Sequence, residues 1–258
     1  MMIYFRLNNY KLFYDFIIYT NMYLIVDNNY KINIWWSAKC ACTYIKNMYY
    51  NEILKKNITN VHIPESYSSI YTKNSDYKNY YVCRNPYARI VSAYVHRLQL
   101  HNDYDSFEDF VNILYKHYVI KNITIQNKDL LHHTSPQFAD KYPINDKTFK
   151  FTSVTKMEDL DKINLLKEWF GITTKIELKK DFGYNTNVQS NTTKIDNIYK
   201  MSKNDIITLK SQKKIPHYSS FYNHDIKRKV YDIYKTDFNM LSTYGIFYDI
   251  EKIDLSSR

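Results

Sequence analysis

Lys39, Cys40, Cys42 and Thr43 fall within five consecutive positions of the segment INIWWSAKCACTYIKNMYY, residues 32–50. A lysine brings a point charge with three N–H donors, and a threonine brings a hydroxyl. At the start of a helix they would join backbone N–H groups that lack intrahelical partners and lie at the positive end of the helix dipole. That combination suits an anion, phosphate above all. Cys40, Ala41 and Cys42 are small, so an anion could approach the backbone closely, the role glycine has in other loops. The expected cradle comprises Lys39, Cys40, Ala41, Cys42, Thr43 and Tyr44. The two cysteines also read as small buried fillers, which is compatible with a cradle. As metal ligands they fit poorly, because the third cysteine is Cys83 and the spacing matches no common zinc pattern.

A second segment, YYVCRNPYARIVSAY (residues 80–94), pairs Arg84 with Ser92. A guanidinium fork plus a hydroxyl suits a second phosphate. Arg89 lies one position off the helix face shared by Ala88 and Ser92, and reads as a surface or salt-bridging arginine.

Both segments need the same support, a buried strand that ends in a turn and runs into a helix. Residues 31–37 and 79–84 read as apolar strands, and the patterns from Thr43 and from Pro86 read as helices, the second with Asn85 as its N-cap. Further strands are expected within 3–30, at 60–64 and at 148–155. Further helices are expected at 106–119, from 157 to Gly171, and as one amphipathic helix over 224–241. Residues 120–147 and 172–200 read as irregular. Strands alternating with helices imply an α/β fold with a central, mostly parallel sheet flanked by helices, and ligands in such sheets sit at the carboxyl ends of strands. Ser37 and Arg84 are at such ends. The length suits a single domain over 1–258, with 1–30 as a strand-rich N-terminal extension.

Composition removes several function classes. The three glycines, Gly171, Gly183 and Gly245, cannot form a dinucleotide fingerprint or a Walker loop, so any phosphate loop is built without glycine. Three cysteines, two of them at i, i+2, make no disulfide framework and fit a reducing compartment. No basic-then-apolar leader opens the chain, and no apolar run approaches the roughly 18 residues of a membrane helix, so a soluble intracellular protein is expected. A formal net charge of +10 points to an anionic partner, although the richness in Tyr, Asn, Ile and Lys also fits an AT-rich coding bias.

The two segments together resemble the PAPS-dependent sulfotransferases, and more closely the Golgi-type carbohydrate sulfotransferases that include the chondroitin and heparan 2-O enzymes. The family's cofactor loop is similar to Pro-Lys-x-x-Cys-Thr-x-x-Lys. Here AKCACTYIK supplies Lys39, Cys42, Thr43 and Lys46, with Ala38 in place of the proline. Its 3′-phosphate segment is similar to Arg-Asp-Pro-x-x-Arg-x-x-Ser-x-Tyr. RNPYARIVSAY matches Arg84, Pro86, Arg89, Ser92 and Tyr94, with Asn85 in place of aspartate. Weaker echoes follow in order: HTSPQ (133–137), KMEDLDKI (156–163) and VYDIYKTDFNMLSTYG (230–245).

The resemblance implies a P-loop-NTPase-like sulfotransferase fold. It also implies transfer of a sulfuryl group from 3′-phosphoadenosine 5′-phosphosulfate (PAPS) to a hydroxyl or amine, with 3′-phosphoadenosine 5′-phosphate (PAP) as product and no metal. Lys39 would neutralise the bridging oxygen, the helix start with Thr43 would hold the 5′ end, and Arg84 with Ser92 would hold the 3′-phosphate. By the same resemblance the acceptor's base is His62, 22 residues before Arg84, with Glu65 as its rival. His133 would be a third candidate base or an acceptor contact, and Thr193 and Lys194 of SNTTK would approach the cofactor. The implied partner is a glycan or other hydroxyl-bearing acceptor, acidic if the basic surface meets it, with no specific nucleic acid. Three readings compete: a kinase-like protein, which lacks its glycine loop; a non-catalytic basic module for nucleic acid or another polyanion; and a degenerate sulfotransferase that binds PAPS without turnover. KSQKK (210–214) reads as a solvated charge run rather than a glycan contact.

Overall fold

Ile32, Ile34 and Trp36 alternate with Asn33, Trp35 and Ser37, and every one of these side chains is buried. A strand covered on both faces belongs in the interior of a sheet. The computed structural model describes residues 22–56, 76–100, 103–138, 149–173 and 195–248, and places this strand inside a four-stranded sheet. β1 (Met22–Asp27) pairs antiparallel with β2 (Ile32–Ser37). β2 pairs parallel with β3 (Lys78–Cys83), and β3 pairs parallel with β4 (Ser153–Lys156). The sheet order is β1-β2-β3-β4, and the architecture is mixed α/β with a mostly parallel sheet flanked by helices. The strand expected at 60–64 lies outside the described residues, as do residues 1–21 of the expected N-terminal extension.

The chain divides into two compact units: Met1–Arg84 with Gln137–Tyr184, and Asn85–Pro136 with Asn185–Arg258. The first contains the sheet. α1 (Cys42–Met48), prolonged by a π-helical turn (Tyr49–Ile53), and α5 (Lys162–Phe170) pack their apolar residues onto the face formed by Ile32, Ile34, Trp36, Tyr80 and Val82. On the opposite face Tyr81 lies against Phe138 and Phe151, with ring centroids 4.6 and 4.9 Å away. Asn33 and Asn79, buried on β2 and β3, satisfy each other through a 2.9 Å bond, as buried amides must. In the β1–β2 turn the Asp27 carboxylate accepts the N–H groups of Asn29 and Tyr30, and it also accepts the hydroxyl of Tyr49 at 2.8 Å. α5 is capped by Asp161 and ends at Gly171, whose φ of 67° is the left-handed conformation a helix C-cap takes.

The second unit is helical. α2 (Pro86–Arg97), α3 (Phe107–Tyr115), α4 (Lys128–Thr134), α6 (Lys203–Ser211), α7 (His224–Ile233) and α8 (Lys235–Thr243) surround a core that includes Tyr87, Tyr94, Phe107, Phe110, Phe221 and Tyr234. Asn85 caps α2, as the sequence predicts, and Ser106 caps α3. α4 and α6 arise in segments with little periodicity: α4 buries only Leu130 and Thr134, and α6 only Ile206. The single helix expected over 224–241 is two helices, broken at Tyr234 (φ −107°, ψ 22°). The Tyr234 hydroxyl donates 2.7 Å to the Thr134 carbonyl, an inward anchor that the helical pattern does not reveal. The strand expected at 148–155 is shorter and later: pairing with β3 begins only at Ser153, after Phe149 and Phe151, whose rings meet edge-on at 5.0 Å. No helix among the described residues is long and apolar enough to cross a membrane.

Candidate functional site

In the first unit β2 ends at Ser37 and β3 at Cys83, side by side at the carboxyl edge of the parallel strands. The turn that follows β2 contains two non-glycine residues in the left-handed region, Lys39 (φ 68°) and Ala41 (φ 58°), either side of Cys40. Such conformations cost about 1–2 kcal/mol each and persist where surrounding structure over-determines them. The turn is closed by the Cys40 N–H on the Ser37 carbonyl at 3.1 Å. Left-handed residues alternating with others turn backbone N–H groups toward one side, the nest geometry that receives anions.

Ala41 is the N-cap of α1, and no side chain caps this helix. The first intrahelical bond runs from the Ile45 N–H to the Ala41 carbonyl at 2.9 Å, so the N–H groups of Cys42, Thr43 and Tyr44 precede the ladder. α2 to α7 all begin with a capping Asn, Ser or Asp side chain. The helix that starts at the predicted cradle has no such side-chain cap. Thr43 is half-buried beside them. Cys40 is fully buried and acts as the filler that the sequence allowed, while Cys42 is partly exposed. Lys46, one turn further on, is buried with its ammonium 5.5 Å from the centre of the Tyr23 ring. Burial holds its pKa below the usual lysine range, and hydrogen bonding to Cys42 opposes that shift. Exchanging Ala41 for glycine should relieve the left-handed strain and raise stability by roughly 0.5–1 kcal/mol after the added chain entropy of glycine is counted. Urea unfolding of the variant checks this by a higher midpoint at unchanged slope.

Arg84 follows β3 and is 9% exposed. Its Nη1 donates 3.1 Å to the Lys39 carbonyl, so the arginine expected to hold a second phosphate also braces the cradle. The backbone of Arg84 is fixed by Gln137. The Gln137 Oε1 accepts the Arg84 N–H at 2.9 Å, and its Nε2 donates to the Arg84 carbonyl at 3.0 Å. The same Oε1 accepts the Cys40 thiol at 3.0 Å. In the sequence Gln137 belongs only to the weak echo HTSPQ, where the preceding proline is its one signal.

The second unit holds Ser92 and His133. Ser92 is half-buried on α2, and its hydroxyl has no hydrogen-bond partner among the described residues. Arg89, on the same helix, is fully buried with its guanidinium 5.9 Å from the centre of the Tyr234 ring, which corrects the surface reading. His133, at the end of α4, hydrogen-bonds through Nε2 to the guanidinium of Arg97, which itself pairs with Asp129 at 2.9 Å. A guanidinium only donates, so the Nε2 lone pair of His133 is engaged in this structure. Next to it, desolvation pushes the His132 pKa down to about 4; Arg89 and Arg97 add to the shift and Asp129 opposes it. The unfolded chain therefore takes up a proton at His132 near pH 6.5 that the folded chain refuses until about pH 4. Stability from this group is complete above about pH 6.5 and falls by about 3 kcal/mol as pH drops to about 4. A His132→Asn variant should lose that part of the acid sensitivity, read as a smaller difference between urea midpoints at about pH 7 and about pH 4.5.

His62, Glu65, Thr193 and Lys194 lie outside the described residues. Among the described residues no group of three or more His, Cys, Asp or Glu side chains is placed to hold a metal ion. Lys210, Lys213 and Lys214 of KSQKK are exposed, although the Lys210 ammonium donates 2.9 Å to the Val95 carbonyl.

Searches of curated proteins and of solved structures returned no match to the chain. A family model described as Sulfotransferase family matches residues 3–244, a span that takes in the cradle, Arg84, Ser92 and the His-x-x-Pro-Gln segment. With that match over nearly its whole length, the chain belongs to the sulfotransferase family.

Proposed function

We propose that this sulfotransferase uses PAPS as donor and a carbohydrate hydroxyl as acceptor, in an in-line transfer that needs no metal, within the Golgi-type carbohydrate branch of the family. One observation carries the reading: a glycine-free, strained turn leads into the uncapped start of α1 and is braced by Arg84 through the Lys39 carbonyl. Uncapped N–H groups, a hydroxyl and a lysine at one turn fit a phosphate. The donor, when bound, supplies an activated sulfuryl group and leaves as PAP.

Every other part of the reaction falls to this chain. In this reading the N–H groups of Cys42, Thr43 and Tyr44, with the Thr43 hydroxyl, hold the 5′-phosphate. Cys40 and Ala41 shape the turn. The Lys39 ammonium meets the negative charge that collects on the bridging oxygen as the bond to sulfur breaks, a stabilisation stronger in the transition state than before it. Arg84, with Ser92 joining by the family resemblance, holds the 3′-phosphate and so distinguishes PAPS from ATP. Thr193 and Lys194 are assigned to the cofactor by the same resemblance.

His62 takes the acceptor's proton in this proposal, ahead of Glu65 and His133. The bond from Arg97 to Nε2 of His133 supports that order. The carbohydrate assignment rests on the closer resemblance to the glycan enzymes, and the +10 charge suits an acidic glycan. The test is incubation with sulfur-labelled PAPS and a panel of neutral and acidic glycans, with His62→Ala in parallel. Label transferred to a glycan and abolished in the variant supports the reading. PAPS bound with no label transferred to any acceptor would leave a degenerate, PAPS-binding protein.

A further inference from the structure

We propose that Gln137 is a positioning residue for the reaction, one that sets Arg84 and the cradle for the donor; the inference rests on the PAPS reading above. Gln137 is completely buried, and its side-chain amide pairs with both the N–H and the C=O of Arg84, at 2.9 and 3.0 Å. This is the pairing a neighbouring strand would give, supplied by one side chain just beyond the last residue of β3. Its Oε1 also accepts the Cys40 thiol, from the turn after β2. Its main-chain carbonyl lies 3.2 Å from the Ser37 hydroxyl and 3.4 Å from that of Tyr81, which are 2.8 Å from each other.

The bonds form a closed circuit. Gln137 holds the backbone of Arg84, the Arg84 guanidinium holds the Lys39 carbonyl, and the adjoining Cys40 returns to Gln137. Both left-handed residues, Lys39 and Ala41, adjoin Cys40, so the circuit supplies the constraint that strained backbone requires. Only an amide of this reach can do it. A glutamate carries acceptors alone and would face the Arg84 carbonyl with like charge. An apolar side chain would leave the N–H and C=O of Arg84 unpaired in the interior. Gln137 touches neither donor nor acceptor in this account and acts through Arg84.

The experiment is a double-mutant cycle on calorimetric PAP binding, with wild type, Gln137→Met, Arg84→Ala and the double variant. Gln137→Met should weaken PAP by about tenfold in the wild-type background and change it little once Arg84 is already alanine. A purely structural glutamine would give additive losses in the two backgrounds, and that outcome overturns the proposal. So does wild-type affinity in Gln137→Met. Should the wild type itself fail to bind PAP, the donor reading falls first and this inference with it, an outcome distinct from the other two. Gln137→Asn, which keeps the amide and shortens its reach, serves in the same cycle where Gln137→Met does not fold.

Discussion

Replacing Arg84 by alanine is expected to weaken PAP binding by roughly 100-fold or more, since bidentate charge-assisted bonds are each worth about 1.5–3 kcal/mol. Two losses combine. In the proposed site the 3′-phosphate loses its guanidinium, and the Lys39 carbonyl loses the 3.1 Å bond that helps to hold the turn in its left-handed conformation. Arg84→Lys separates them. A lysine keeps a charge but not the fork, so it should recover only a small part of the affinity. AMP, which lacks a 3′-phosphate, should be weakened far less by Arg84→Ala than PAP, and whatever AMP does lose measures the brace. Equal weakening of the two ligands would place Arg84 in the scaffold alone.

The second large effect is on rate. Lys39→Ala should lower kcat about 100- to 1000-fold, the usual consequence of deleting one preorganised electrostatic contact to a charge that develops in the transition state. PAP affinity should change less than kcat, because in the proposed reaction the lysine acts on the bridging oxygen as it is released. Alanine at φ 68° retains the strain of the native residue, whereas glycine relieves it. Lys39→Gly should therefore match Lys39→Ala in kcat and match or exceed it in stability. Recovery of kcat in the glycine variant would trace the effect to backbone conformation rather than to the missing charge.

What the sequence disclosed was local. The strand, turn and helix around residues 32–48 follow from an apolar run, a polar break and a helical stripe. The Asn85-Pro86 start of α2, the Ser106 cap and the Gly171 stop are written in adjacent residues. The residues suggest a glycine-free anion loop, but nothing in them reveals how the chain builds this turn. Small side chains suggested close approach to the backbone; the structure instead accepts left-handed geometry at Lys39 and Ala41 and turns the Cys40 thiol inward to Gln137. The bonds that hold this arrangement join residues 45 to 100 positions apart, where no local pattern reaches. The break at Tyr234 and the burial of Arg89 were hidden for the same reason, since each depends on a partner distant in sequence. α6 was missed because it buries a single side chain, which leaves almost no periodicity to read.

In the proposed function the turn at Lys39–Tyr44 together with Arg84 makes a site for a 3′,5′-bisphosphate nucleotide. Calorimetric titration of the wild-type chain with PAP, against ADP under the same conditions, tests it most directly. PAP should bind saturably, one to one, and ADP at least about tenfold more weakly, because ADP presents no 3′-phosphate to Arg84. Equal affinity for the two nucleotides, or no binding of PAP while double-stranded DNA binds with a steep salt dependence, would contradict it and favour a basic polyanion-binding module.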